Sequence, residues 1–294
     1  MRCLPSAIAI PHVQRDSMTM FGRIREKLHR APLRARRPVL EESYPHVEIF
    51  FWKPAQGLNF GDYLASAVTQ RMLAAREILF DEPAPKARLF TIGSVLHFAA
   101  TGDTVWGSGR NGKISSEQHP FADLDVRAVR GPLTQKFLMD RGISVPSVFG
   151  DPALLIPRLF PQRFKRRTQP GKIGVVPNLH DRDLLDRDDV IDPMWNWGRV
   201  IDAICECEFI VSSSLHGLII ADAFGIPCSH VRLSETEPDF KYIDYCEGVG
   251  RSTFRSATSV EEALDAGPLS PPNFDAAPLL ESFPYDLWEP KGAR

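Results

Sequence analysis

His216 is the residue best placed by sequence to move a proton. It stands in Ser212-Ser213-Ser214-Leu215-His216-Gly217, where the short apolar run 209–211 passes through three serines into a segment of helical pattern. Unpaired backbone N–H groups at a helix start, with serine hydroxyls beside them, make a site for an anion. A histidine in the first turn meets the positive end of the helix dipole, which disfavours imidazolium and keeps the ring neutral and reactive. The residues behind it, Leu218, Ile219, Ile220, Ala221 and Ala223, are apolar nearly all round the helix, so a buried and rigid support is expected. Spacing alone leaves two readings open: a reactive histidine beside an anion site, or a satisfied buried histidine behind serines that only cap.

Other corners of the same strand-to-helix type carry further candidates. Asn59-Phe60-Gly61-Asp62 places Asn59 as a helix cap and Asp62 where it caps or accepts hydrogen bonds from a sugar. In Trp106-Gly107-Ser108-Gly109 two glycines after a strand either form a plain turn or let a backbone carrying Ser108 approach a ligand closely. Arg130, in Val129-Arg130-Gly131-Pro132, offers a planar fork for a carboxylate or phosphate, or is a surface charge. Asp151, in Gly150-Asp151-Pro152, is a turn cap or a site carboxylate, and His180 follows the strand 172–176 in a comparable position. Lys241 is a weaker candidate on a helical stretch.

The elements that must carry these corners alternate. Strands are expected at 47–52, 89–92, 104–106, 126–129 and 145–149, and helices after Asn59 and over 132–140, the latter opened by Pro132 and closed by Gly142. Residues 157–171 are proline-rich and basic, as a linker reads. Strands at 172–176, 209–211 and 228–233 then alternate with helices at 195–205 and 215–224. The expected organisation is a basic, flexible extension over 1–45, an α/β domain over 46–160 and a second over 161–294. Each would hold an open, mostly parallel sheet, with ligands beyond the carboxyl ends of the strands.

Composition narrows the functional classes. The 294 residues are 43% hydrophobic and 24% charged, as in globular proteins, and no apolar run is long enough to span a bilayer. Net charge is −2, but 1–45 holds nine Arg/Lys against four acids, so that stretch is +5 and the remainder −7. A nucleic-acid partner is therefore not expected, because the folded part is acidic. The basic extension is read as a tail or as a peripheral contact with anionic lipid. Five irregularly spaced cysteines read as free thiols of a reducing cytoplasm. Metal-ligand spacing, a phosphate loop ending in Gly-Lys-Ser/Thr and a Gly-x-Ser-x-Gly elbow are all absent, and no metal or cofactor is expected.

Taken in order, NFGD at 59–62, WGSG at 106–109, VRGPLT at 129–134, GDPALL at 150–155 and SSSLHGLIIADAFGIP at 212–227 resemble the polysaccharide pyruvyl transferase family, in particular its exopolysaccharide ketal-forming branch. The resemblance covers about residues 46–250, and the last motif is the most specific. It implies an α/β fold of two Rossmann-like domains facing a cleft, as in GT-B glycosyltransferases. It implies transfer of pyruvate from phosphoenolpyruvate to a sugar of a cell-surface glycan precursor, with phosphate released and a pyruvate ketal formed. By motif, His216 and Arg130 would be catalytic, Arg130 gripping the anionic donor. Asn59, Asp62, Gly107, Ser108, Asp151, His180, Ser213, Ser214, Leu215 and Lys241 would bind substrate. The sequence departs from the family pattern at Asn178-Leu179-His180, where relatives often carry histidine directly after the proline. Acceptors in such pathways are commonly lipid-linked oligosaccharides at the inner face of the cell membrane. Two other functions share these features: a GT-B-like glycosyltransferase using a nucleotide sugar, and a non-catalytic carbohydrate-assembly protein.

Overall fold

The computed structural model describes residues 39–43, 47–55, 57–79, 86–235, 237–251 and 253–289. The basic extension proposed for 1–45 lies outside them except for 39–43. Strand β1 (Val39–Ser43) falls in that stretch and runs antiparallel beside β2 (Val47–Trp52), pairing Val39 with Trp52 and Ser43 with Glu48. From β2 the sheet continues in parallel through β3 (Ala87–Phe90), β4 (Thr104–Trp106) and β5 (Asp125–Ala128), in the order β1-β2-β3-β4-β5. A second, wholly parallel sheet takes the order β6 (Ile173–Val176), β7 (Phe209–Ser212), β8 (Cys228–Val231), β9 (Ser256–Ala257). The expected alternation thus gives two mostly parallel sheets. The strand expected at 145–149 reduces to one parallel bridge between Val129 and Phe149, in a stretch where Pro146 has no N–H to give a ladder.

The helices begin where the cap chemistry placed them. Asn59 caps α1 (Phe60–Ala74), its side chain accepting from Gly61 N, and Pro132 opens α2 (Pro132–Met139). Asp151 caps the 3-10 turn Pro152–Leu155, which runs into the short α3 (Ile156–Leu159). Then follow α4 (Trp197–Cys205), α5 (Leu215–Ala223), α6 (Phe240–Gly248), α7 (Val260–Asp265) and α8 (Ala277–Glu281). Among the described residues no helix is long and apolar enough to cross a membrane.

Alternation along the strands decides which face each residue serves. Ile49 and Phe51 of β2, with Leu89 of β3, point into a central cluster that also takes Val176, Ile210 and Cys228 from the second sheet. Phe50, Phe90 and Val105 serve the opposite face of the first sheet, and Val175, Val211 and Val231 that of the second. Helix α5 contributes Leu218, Ile219, Ile220 and Ala221 to the central cluster, as its apolar circumference requires. The proline-rich stretch 157–171 is tied down at a few points, where Phe160 and Phe164 meet Trp197 edge-on at 5.7 and 5.4 Å and Arg167 N donates to Cys205 O, while 161–163 and 165–171 are exposed. Among the described residues both sheets belong to one compact unit.

Candidate active site

Loops from the carboxyl ends of both sets of strands enclose a cavity of about 300 Å³. Trp52 ends β2; Asn59 and Asp62 follow it; Ser94, His97 and Phe98 follow β3; Asn111 and Lys113 follow β4. Asn178, Leu179 and His180 follow β6, Ser214, Leu215 and His216 follow β7, and Glu237 and Lys241 follow β8. Seven of the residues singled out by sequence therefore meet at one cavity: Asn59, Asp62, His180, Ser214, Leu215, His216 and Lys241.

The serine-rich turn is built to hold His216 there. Ser212 Oγ lies 2.8 Å from Val176 O and accepts from Ser214 N, locking the end of β7 onto β6. Ser213 Oγ accepts from Asn178 N and its carbonyl accepts from the Tyr242 hydroxyl, so Ser213 pins the neighbouring loop instead of lining the cavity. Ser214 caps α5 by accepting from Gly217 N. A Cβ on Gly217 would lie 2.3 Å from Ser212 Oγ, so only glycine lets the helix start press this closely on the strands. On the other side Gly61 lies against the imidazole, where a Cβ would stand 2.2 Å from Nδ1, and the Phe60 ring meets it edge-on at 6.4 Å. The histidine is thus clamped between the first turns of α1 and α5.

His216 Nε2 lies 3.8 Å from Asp151 Oδ2, and among the described residues these two buried atoms have no hydrogen-bond partner. The other Asp151 oxygen accepts from Ala153 N. Burial, followed by the positive charges of Lys241 and Arg130, lowers the His216 pKa to about 3 and keeps the ring neutral. Burial raises Asp151 to about 6 against the pull of the Ala153 N–H and Arg130. Asp62, half-buried in the cavity wall, rises to about 7; burial is the main cause, Lys241 opposes it and Asp151 adds to it. The cavity therefore holds a neutral base beside a carboxyl group poised to lose its proton near neutral pH, an arrangement that separates acid from base.

Cationic charge enters through Lys241 and through Lys113, which the sequence did not single out. Glu237 bridges two lysines, one oxygen 2.5 Å from Lys113 Nζ and the other 2.6 Å from Lys241 Nζ. All three line the cavity, and burial lowers the Lys241 pKa. Two ammonium groups sharing one carboxylate leave one positive charge over for an anion. The Lys113–Glu237 pair spans 124 residues of sequence on irregular loops, so no local pattern announces it.

Arg130 takes a different place from the one expected. Its side chain is fully buried, with Nε donating to Asp244 Oδ2, Nη2 to Arg110 O and Nη1 to Ser94 Oγ. The backbone around it is close-packed: a Cβ on Gly131 would overlap Asp244 O, and one on Gly248 would lie 2.2 Å from Arg130 O. Arg130 is therefore not in the cavity wall; it reaches the cavity through Ser94 and by its charge. Gly107 and Ser108 also stand outside the wall. Gly107 (φ +91°) is needed because a Cβ would meet the Pro152 ring at 2.3 Å, and Ser108 Oγ donates to Gly93 O, so the close approach serves packing. Asp151 touches the site only through its unpaired oxygen, and His180 lines the cavity as an exposed residue on the 3-10 turn capped by Asn178. Among the described residues no group of His, Cys, Asp and Glu could hold a metal ion.

Residues 121–235 match the model of the family described as Polysaccharide pyruvyl transferase, a span that includes Arg130, Asp151, His180 and His216. Over 214 residues the chain is 29% identical to the succinoglycan biosynthesis protein ExoV of Rhizobium meliloti (strain 1021), covering 68% of this chain and 64% of that protein. The chain thus spans just under two thirds of that relative's length. It is 24% identical over 233 residues to an uncharacterized protein of Acanthamoeba polyphaga mimivirus, covering 71% of this chain and 77% of that one. A crystal structure of a functionally uncharacterized Klebsiella pneumoniae protein superposes with a TM-score of 0.46 at 11% identity, over 68% of this chain and 89% of that one. By the match over 121–235 and the Rhizobium relative, this chain is similar to proteins of the polysaccharide pyruvyl transferase family.

Proposed function

We propose that the chain is a pyruvyl transferase of exopolysaccharide synthesis that moves pyruvate from phosphoenolpyruvate to a sugar and closes a cyclic ketal. The observation that carries this reading is the meeting of neutral His216, Asp62 and the Lys113–Glu237–Lys241 cluster at one cavity. Phosphoenolpyruvate bears a carboxylate and a phosphate, which Lys113, Lys241 and the N–H groups at the start of α5 would hold. Asp62, with its pKa raised to about 7, would give its proton to the methylene carbon and leave C2 electrophilic. His216 would take the proton of the first sugar hydroxyl as its oxygen bonds to C2. The second hydroxyl then bonds to C2 as the C–O bond to phosphate breaks, and its proton leaves with the phosphate. Of the two hydroxyl protons, one replaces the proton spent on carbon and the other departs with phosphate, so the balance closes.

Asp151, 3.8 Å from the imidazole, would stabilise the imidazolium formed on the way. In this reading the two sheets act as Rossmann-like halves facing a cleft in a GT-B-like arrangement. The acceptor is an oligosaccharide, lipid-linked and met at the inner face of the membrane. The test is incubation with phosphoenolpyruvate and candidate oligosaccharides, following phosphate release and a product mass gain of pyruvate less water. His216→Gln should lower turnover by about 10²–10⁴-fold, the usual span for a general acid or base, while leaving the fold intact. Near-wild-type turnover in that variant removes His216 from the chemistry. Thermal stabilisation by a nucleotide sugar and none by phosphoenolpyruvate would replace the whole reading with glycosyl transfer.

A further inference from the structure

Part of the cavity wall is unsuited to an anion. Trp52, the last residue of β2, and Phe98, in the 3-10 turn Leu96–Phe98 after β3, are both half-buried and both line the cavity. Their rings lie 5.7 Å apart and nearly parallel, at 27°. Behind them Phe98 packs on Phe50 at 5.3 Å, and Phe50 stacks on Phe90 at 4.5 Å, both rooted in buried strand. Trp52 and Phe98 are therefore the cavity-side members of a rigid aromatic column. The face of an aromatic ring carries negative quadrupolar charge, so it repels carboxylate and phosphate and favours polarised C–H groups. Polar groups border the column: His97 packs on Phe98 at 4.0 Å and lies 3.4 Å from Asn111 Nδ2. Asn111 Oδ1 accepts from the backbone of Lys113, whose side chain begins the cationic cluster. One run of contacts thus joins an apolar platform to the anion-holding lysines.

We propose that Trp52 and Phe98 are the acceptor subsite, a stacking platform for a pyranose ring, with His97 and Asn111 hydrogen-bonding its hydroxyls. A pyranose presents an apolar C–H face inside a polar rim, which matches this wall, whereas the donor, with its carboxylate and phosphate, is excluded from it by charge. The proposal rests on the pyruvyl-transfer reading for the identity of the second substrate. It makes Trp52 a specificity-determining residue, one that binds the acceptor without taking part in proton transfer.

The test compares wild type, Trp52→Phe and Trp52→Ala. For Trp52→Ala the acceptor KM should rise about tenfold, equivalent to about 1.4 kcal/mol, with kcat and the KM for phosphoenolpyruvate changed by less than about twofold, which is under 0.5 kcal/mol. Trp52→Phe should recover most of the loss, because it keeps an aromatic face. An unchanged acceptor KM, or a loss confined to kcat or to the donor KM, overturns the subsite. If wild type forms no ketal at all, the pyruvyl-transfer reading fails, and saturation-transfer NMR with cellobiose and lactose then judges the subsite by itself. Contact in wild type that is lost in Trp52→Ala sustains it, and no contact in wild type rejects it.

Discussion

At the scale of single residues, the proposed chemistry depends on keeping His216 neutral while Asp62 keeps its proton. Burial drives both shifts, but Lys241 acts on both in one direction: its charge favours the unprotonated form of each group. Removing that charge should raise both pKa values. If Asp62, with its pKa raised to about 7, gives the proton, Lys241→Met is expected to move the alkaline limb of kcat/KM to higher pH. The acid limb should move the same way, since His216 then protonates more readily. The phosphate of the donor titrates identically with both proteins, so its contribution cancels in the comparison. A limb that stays in place or moves down would show that the proton given to carbon does not come from Asp62. How far such residues can be read from sequence depends on what fixes them. His216, Asp62 and Asn59 sit at strand-to-helix corners with local cap patterns, so their convergence was legible. Arg130 was legible as a strand-end arginine, but its partner Asp244 lies on α6, 114 residues away, and nothing local to Arg130 shows that its fork is already occupied.

At the scale of elements, the site is a contact between two helix starts, and glycine sets its closeness. Gly61 brings α1 onto the imidazole and Gly217 brings α5 onto β6 and β7. Sequence reading found both glycines inside motifs and offered a plain turn or close approach to a ligand at Gly107, where the neighbour is Pro152. A positive φ requires glycine whatever lies beside it, so the requirement was readable and the neighbour was not. Gly61→Ala separates geometry from stability. Within α1 the exchange is favourable by about 1 kcal/mol in helix propensity, yet its Cβ would stand 2.2 Å from His216 Nδ1. The ring or the helix start must give way. A displacement near 1 Å costs about 100-fold in rate where geometry is tuned, so kcat should fall by that order while the denaturation midpoint changes little. An unchanged kcat in a folded Gly61→Ala protein would show that α1 does not position the ring.

At the scale of the whole molecule, the two sheets share one hydrophobic interior. The central cluster takes Ile49, Phe51 and Leu89 from the first sheet and Val176, Ile210 and Cys228 from the second, with α5 among them. The end of the described chain ties this body together. Trp106 Nε1 donates to Leu279 O, Phe283 meets the Trp106 ring edge-on at 4.8 Å, and the Tyr285 hydroxyl donates to Met72 O at the end of α1. A segment that follows the second sheet in sequence thus packs on the first. This return was illegible in residues 273–288, because a few aromatics on irregular chain have no periodicity to reveal where they dock. Independent lobes would unfold separately, as multidomain chains commonly do, whereas a shared interior predicts one transition. Phe283→Ala should lower stability by about 3–5 kcal/mol, the usual cost of emptying a buried phenylalanine site. It should move the whole transition, followed by tryptophan fluorescence and by far-ultraviolet circular dichroism in urea, without splitting it. Two separated transitions, with only the one reporting the first sheet displaced, would show that the sheets are coupled by the chain alone and that the shared cluster contributes little to holding the cavity walls in register.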